Sequence, residues 1–114
     1  MPDVSSSEHP LLYRALKNAW LDVPSQAFKL RPSETYLSVL LWANCTKVFC
    51  QANRNRCAGE FVLETAQVAV KWRVRAEGEN HAGIHGLPLH GDAELAIEDA
   101  ATELESLIVE VRRR

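Results

Sequence analysis

The chain has 114 residues, of which 46% are hydrophobic and 25% are charged, and its formal net charge is −2 at pH 7. This length fits one domain around a single core, and the small net charge gives no general attraction to nucleic acid or anionic lipid. The longest apolar run, residues 37–43, is much shorter than the roughly 20 residues that a membrane helix needs. The N-terminus lacks the apolar segment of a secretory signal. We therefore expect a cytoplasmic protein that contacts no membrane, with nucleic acid as a disfavoured partner and a protein or a second copy of the chain as the favoured one.

The three cysteines, Cys45, Cys50 and Cys57, include no CxxC pair and match no zinc motif. An odd number of cysteines without paired spacing indicates reduced thiols rather than a disulfide framework. If residues 44–53 form a helix, Cys45 lies on its apolar face, which predicts a buried structural thiol.

The first half of the chain predicts one helix followed by two strands. Residues 1–10 are polar and Ser-rich and are predicted to be flexible, and residues 11–114 form the single domain. Residues 11–20 predict an amphipathic N-terminal helix, because four apolar side chains recur with helical spacing: Leu12, Ala15, Leu16 and Ala19. Residues 26–31 alternate polar and apolar side chains up to Pro32, which predicts an edge strand. Residues 35–42 predict a buried strand that forms a hairpin with it.

The second half predicts further strands and a long C-terminal helix. Residues 60–77 alternate clearly but are too long for a typical strand, so a break at 64–67 gives strands near 60–65 and 69–76, joined by a tight turn or a short helical turn. From Asp92, an N-cap residue, an apolar stripe predicts a helix that runs through Val111 and places Arg112 to Arg114 at the negative end of its dipole. The predicted fold is α+β: one small domain with a mainly antiparallel sheet, packed by an N-terminal and a long C-terminal helix.

Residues 81–92, HAGIHGLPLHGD, contain three of the four histidines and three of the five glycines. A metal site formed by His81, His85 and His90 is the weaker alternative for this segment. The glycines and Pro88 oppose the helix that HxxxH spacing requires, and an extended chain separates His81 from His85 by about 13 Å. Asp92 opposes an anion site, because its carboxylate competes for the helix N-terminus. We therefore expect no metal and no cofactor, and a shaped loop that connects the sheet to the helix.

Three short motifs occur in order along the chain: Ala27-Phe28, Leu37-Ser38-Val39, and the HAGIHGLP sequence of residues 81–88. With these motifs the chain resembles a group of small, mostly uncharacterised bacterial proteins that share AF, LSV and HAxIxGLP signatures over residues 11–100. The resemblance implies no activity. It marks His81 and leaves the position of His85 variable.

Two functional hypotheses from different classes follow. The first is a small intracellular bacterial interaction module that forms homo-oligomers or joins a complex of small proteins. The second is a small histidine-dependent enzyme, such as a nuclease, a phosphotransferase or a nucleotide-modifying toxin, with its site at residues 81–92. Its catalytic candidates are His81, Ser38 and Arg31, because proton transfer and charge stabilisation need these residue types. Tyr13 and Arg14 are further polar groups that converge with them under this hypothesis.

Three basic side chains form a stripe in the second half of the chain. Lys71, Arg73 and Arg75 repeat with the period of a strand, a spacing that follows a phosphate backbone or pairs with glutamates across the sheet. The small net charge and the absence of interleaved aromatic residues favour pairing.

Overall fold

The fold is a six-stranded sheet with helical elements, seen in a computed structural model that describes residues 2–43 and 58–113. The strands are β1 (Leu11–Leu16), β2 (Leu37–Leu40), β3 (Gly59–Glu64), β4 (Arg73–Ala76), β5 (His81–His85) and β6 (Ile108–Arg113). The helices are α1 (Thr65–Val68) and α2 (Glu94–Ser106), with 3-10 helices at Asn18–Trp20 and Pro24–Phe28. The strand order is β4-β5-β2-β1-β3-β6, and all neighbours are antiparallel. The predicted α+β class and antiparallel sheet are confirmed.

One face of the sheet carries the hydrophobic core. Side chains alternate across a strand, so every second residue points to this face. Its fully or almost fully buried members on the strands are Leu12, Leu16, Leu37, Val39, Phe61, Leu63, Val74, Ala82 and Ile84. Helix α2 adds Ala101 and Leu104 to the same cluster, and the 3-10 helix Pro24–Phe28 adds Ala27 and Phe28. These two helical elements therefore cover the apolar face.

The predicted N-terminal helix over residues 11–20 is wrong, because Leu11–Leu16 is strand β1. Leu12 and Leu16 are four residues apart, and this spacing places two side chains on one face of a helix and of a strand alike. The residues on the other face of β1, Leu11, Tyr13 and Ala15, are half-buried and mostly apolar, so the polar alternation of a strand with one exposed face is missing. The only helical residues here are Asn18–Trp20.

The predicted edge strand over residues 26–31 is also wrong. Pro24–Phe28 is a 3-10 helix that begins with proline and buries Ala27 and Phe28. The predicted strand over residues 35–42 is confirmed in its centre, Leu37–Leu40. It pairs with β1 and β5 instead of forming the predicted hairpin.

The break predicted within residues 60–77 is confirmed, but the strand predicted near 69–76 begins only at Arg73, because residues 69–72 form a turn. Strand β3 ends at Glu64, α1 follows directly at Thr65–Val68, and the chain becomes extended again at Arg73–Ala76. The two strands lie far apart in the sheet, because β3 neighbours β6 and β4 neighbours β5. The break therefore carries the chain from one half of the sheet to the other.

The predicted C-terminal helix is correct at Glu94–Ser106 and wrong beyond it. Ile108–Arg113 is strand β6, so Arg112 and Arg113 lie in the sheet and do not complement a helix dipole. The β-branched residues of this segment favour extended backbone. Asp92 is not the N-cap, which is Ala93; the Asp92 carboxylate accepts a hydrogen bond from the Leu89 N–H at 2.8 Å.

The predicted loop over residues 81–92 begins with a strand, since His81–His85 pairs with β2 on one side and β4 on the other. The remaining residues connect β5 to α2. Gly86 and Gly91 each have φ of 96° there, a conformation that glycine adopts without steric cost.

The N-terminal segment lies along the outer edge of β4. Asp3 bridges Arg75, the Val4 N–H donates to the Val74 carbonyl at 2.8 Å, and the Ala76 N–H donates to the Pro2 carbonyl at 3.0 Å. The flexibility of residues 1–10 stays a prediction. The predicted helix over residues 44–53 and the three cysteines lie outside the described residues. Among the helices that the structure describes, none has the length and apolarity to cross a membrane.

Candidate functional site

Arg14 is a charged residue on the apolar face of β1, between Leu12 and Leu16. Its Nε donates to the Ala27 carbonyl at 2.8 Å and its Nη1 donates to the Ser38 carbonyl at 2.9 Å. Arg14 thus joins the 3-10 helix Pro24–Phe28 and strand β2 to β1. Both acceptors are neutral, and no carboxylate of the described chain forms an ion pair with this guanidinium.

The surroundings of Arg14 disfavour its positive charge. Burial lowers the pKa of Arg14 to about 10, the Glu34 carboxylate opposes this shift, and the neighbouring charge of Arg31 adds to it. An arginine in water titrates far above this range. A bound anion would restore the favourable environment that the guanidinium lacks.

A pocket of about 400 Å³ opens beside Arg14. Its lining residues are Arg14, Ala15, Lys17, Trp20 and Arg31. The exposed Lys17 is held near the indole of Trp20, with Nζ 5.0 Å from the ring centroid, and the guanidinium carbon of Arg14 is 5.5 Å from the same centroid. Cation–π attraction at these distances keeps both charges beside the ring. Three cationic side chains and one aromatic ring therefore surround one cavity.

Arg31 reaches this pocket from a strained turn. The Glu34 N–H donates to the Arg31 carbonyl at 3.1 Å, with Pro32 and Ser33 as the two central residues. Ser33 has φ of 72°, as a type II turn requires at this position, where glycine is the usual residue. The Arg31 N–H donates to Glu34 Oε1 at 2.6 Å, and Nε of Arg31 lies 3.5 Å from the same oxygen. Glu34 offsets one of the three positive charges, so the site keeps an excess of two.

The structure brings together only some of the residues predicted for the enzymatic hypothesis. Arg31 and Arg14 line the same pocket. Ser38 and His81 lie on β2 and β5, where Ser38 is paired with Gly83 and His81 with Leu40. Their side chains occupy the sheet face opposite the core, since their strand neighbours Leu37, Val39 and Ala82 are the buried ones. Tyr13 also lies on that opposite face, paired with Leu40. The catalytic roles of His81, Ser38 and Arg31 stay predictions.

A second polar cluster forms around His85 on the same opposite face. His85 Nε2 and Glu77 Oε1 are hydrogen-bonded at 2.6 Å, and the rings of His85 and Tyr36 are 5.0 Å apart at 34°. These side chains meet over Gly83, whose missing side chain leaves room for the Tyr36 ring. A carboxylate bound to one nitrogen orients an imidazole, as in catalytic and metal-binding histidines. The sequence favoured His81, whereas the structure gives the carboxylate partner to His85.

His81 and His85 lie on extended backbone, the conformation that was expected to separate them. His81 and His85 lie four residues apart on one strand, and His90 follows in the connection to α2. Within residues 2–43 and 58–113, no three His, Cys, Asp or Glu side chains are placed to hold one metal ion.

Two residues of the basic stripe have described acidic partners: Lys71, in the turn before β4, and Arg73 of β4. Nε of Arg73 is 2.9 Å from Asp3 Oδ1, and Lys71 forms an ion pair with Glu103 of α2. The acidic partners of Lys71 and Arg73 come from α2 and from the N-terminal segment, and not from the glutamates across the sheet that the sequence suggested.

Two residues of the pocket, Lys17 and Trp20, were missed from the sequence. The helix predicted over residues 11–20 gave neither residue a place beside Arg31. The available signal was the concentration of Arg14, Lys17 and Trp20 in seven residues.

Comparison with known proteins adds no relative to this picture: no protein-family model, no curated protein and no solved structure matches the chain. The resemblance to small bacterial proteins with HAxIxGLP signatures stays a prediction. The case for a function therefore rests on the geometry of the described residues.

Proposed function

We propose that this domain is a binding module for a small phosphate-bearing molecule, held in the pocket between β1 and the turn at residues 31–34. The observation that carries the proposal is the convergence of Arg14, Lys17 and Arg31 on one cavity, with Glu34 as the nearby opposing charge.

Phosphate fits the arrangement of donors better than a single carboxylate does. Two nitrogens of Arg14 are used by backbone carbonyls, which fixes the plane of the guanidinium before any ligand arrives. A fixed guanidinium loses little conformational entropy on binding, and its remaining nitrogen is a charge-assisted donor. Lys17 and Arg31 extend from separate segments, so three cations can contact different oxygens of one dianion.

The size of the pocket indicates a small molecule. A volume of about 400 Å³ is within the usual range for small-ligand sites. Nucleic acid binding requires a basic surface that follows several phosphates. This chain has a net charge of −2, and Lys71 and Arg73 of its basic stripe are paired with acidic side chains.

Isothermal titration calorimetry at low ionic strength tests the proposal, with inorganic phosphate, ribose 5-phosphate and AMP as probes and ribose as the uncharged control. We expect binding of the phosphate-bearing probes and none of ribose. Arg31→Ala and Lys17→Ala each remove an exposed cation and should raise Kd about tenfold or more, because a hydrogen bond to a charged group contributes about 1.5–3 kcal/mol.

Arg73→Ala is the matched control, because it removes an exposed arginine outside the pocket. It should leave Kd unchanged. Absence of binding by all three phosphate-bearing probes at millimolar concentration would overturn the proposal, as would affinities that Arg31→Ala and Lys17→Ala do not alter.

A further inference from the structure

The two edge strands of the sheet, β4 and β6, differ in what lies along their outer sides. The outer edge of β4 is covered by the N-terminal segment through Asp3 and Val4. At the other edge, no strand within the described residues pairs with the outer side of β6. Two of its apolar side chains are exposed there, Val109 at 53% and Val111 at 46%. An uncovered edge with apolar side chains is a template for pairing with another strand.

The backbone of Val111 faces this open side. A side chain on Gly59 would overlap the Arg112 carbonyl oxygen, so the polar groups of Arg112 point toward β3. The direction of backbone N–H and C=O groups alternates along a strand, and those of Val111 consequently point away from β3. Strand β3 gives the same result. The Thr65 N–H donates to the Pro10 carbonyl on the β1 side, and the direction of the backbone groups alternates from there along β3. The residue paired with Arg112 therefore directs its backbone groups toward β6, whereas the residue paired with Val111 directs its own toward β1.

The sequence of β6 is complementary to itself in one antiparallel register. When Val111 lies opposite its own copy, Glu110 lies opposite Arg112 of the second chain, and Arg112 lies opposite the second Glu110. The symmetric pair thus contains two cross-strand pairs of opposite charge around a pair of valines. Glu110 and Arg112 already share one face of β6, with Nε and Oε2 3.2 Å apart. The irregular register between β3 and β6 at Val62 and Leu63 limits the new ladder to the C-terminal part of the strand.

We infer that the chain forms a symmetric homodimer in which two copies of β6 pair antiparallel about Val111 and join the two sheets into one. The isologous contact is self-complementary in charge and in hydrogen-bonding direction. This interface is separate from the phosphate pocket and does not depend on it.

Sedimentation velocity over a range of protein concentrations tests the dimer. We expect the wild type to associate reversibly to a species of twice the monomer mass. Glu110→Arg places arginine opposite Arg112 at both ends of the symmetric pair, so the dimer dissociation constant should rise about tenfold or more. Glu79→Arg makes the same charge change at an exposed position in the β4–β5 turn and should leave the association unchanged.

A second variant examines the hydrogen bonds. Val111→Pro removes the outward N–H, on which β3 does not depend, and should also give a monomer with an unchanged far-ultraviolet circular dichroism spectrum. A wild type that stays monomeric at the highest concentration would overturn the inference, and so would a Glu110→Arg protein that dimerises as strongly as the wild type.

Discussion

At the scale of single residues, Gly83 gives the sharpest packing prediction. A methyl group at this position would lie 2.7 Å from Cγ of Tyr36 and 3.1 Å from Nε2 of His85. Both distances are shorter than normal van der Waals contact, so the ring of Tyr36 must move from its place on the sheet. Gly83→Ala should lower the free energy of unfolding by about 1–3 kcal/mol, measured by urea denaturation.

Tyr36→Ala provides the control for this prediction. If the ring causes the clash, Gly83→Ala should cost much less in the Tyr36→Ala background than in the wild type, and the double-mutant cycle should show coupling. An equal cost in both backgrounds would show that the effect of Gly83→Ala comes from the backbone or from His85 and not from Tyr36.

The candidate site could be predicted only in part at this scale. Arg14 and Arg31 were recognised as polar groups that converge, and they do so, but with Lys17 and Trp20 instead of His81. The sequence shows residue types and not which sheet face they occupy, and that face depends on whether β1 is a strand. The hydrogen bond of Glu77 to His85 depends on the β4–β5 pairing, which no local pattern specifies.

At the scale of elements, helix α2 is attached by one buried face. Leu104 is fully buried, whereas Leu95 of the same helix is 74% exposed. Leu104→Ala should lower the free energy of unfolding by about 2–5 kcal/mol, because it leaves a cavity in the core. Leu95→Ala makes the same chemical change on the exposed side and should alter it by less than about 0.5 kcal/mol, measured by the same denaturation. Equal effects of the two substitutions would contradict this packing of α2.

The same helix shows which elements a sequence pattern can predict. Thirteen residues of α2 were recognised from a long apolar stripe, but the stripe continues into β6 because Ile108 and Val111 keep helical spacing with Leu104. Leu12 and Leu16 misled in the same way in β1, where a helix was predicted and a strand is present. In both segments the local pattern suits helix and strand, and pairing with β3 decides the outcome.

At the scale of the whole molecule, the strand order could not be predicted. The chain crosses from β3 to β4 through α1, yet these strands lie at opposite sides of the sheet, and β1 takes a central position through long-range pairing. Such pairings depend on contacts between distant segments, whereas sequence periodicity reports only the neighbours of a residue. The α+β class was predictable because the alternation in β3 and β4 and the apolar stripe of α2 are local patterns, although β1, β5 and β6 were not predicted as strands.

The phosphate-binding proposal and the dimer proposal predict different dependences of the Tm on ligand and on protein concentration. A dimer that dissociates on unfolding should give a Tm that rises with protein concentration, by roughly 2–5 °C for each tenfold increase in a domain of this size. Differential scanning calorimetry should show this dependence for the wild type and not for Glu110→Arg. A concentration-independent Tm in both proteins would contradict a dimer linked to folding.

The effect of phosphate on Tm distinguishes binding at the pocket from dimer formation through β6 in the same calorimetric measurement. Inorganic phosphate should raise the Tm of Glu110→Arg as it does that of the wild type, because mass action depends only on binding to the folded pocket. Arg31→Ala should lose this response and keep its dependence on protein concentration, since β6 is unaltered. If phosphate stabilises Arg31→Ala as strongly as the wild type, the anion does not bind at the pocket. The proposed dimer is then still tested by Glu110→Arg, because that test does not involve the pocket.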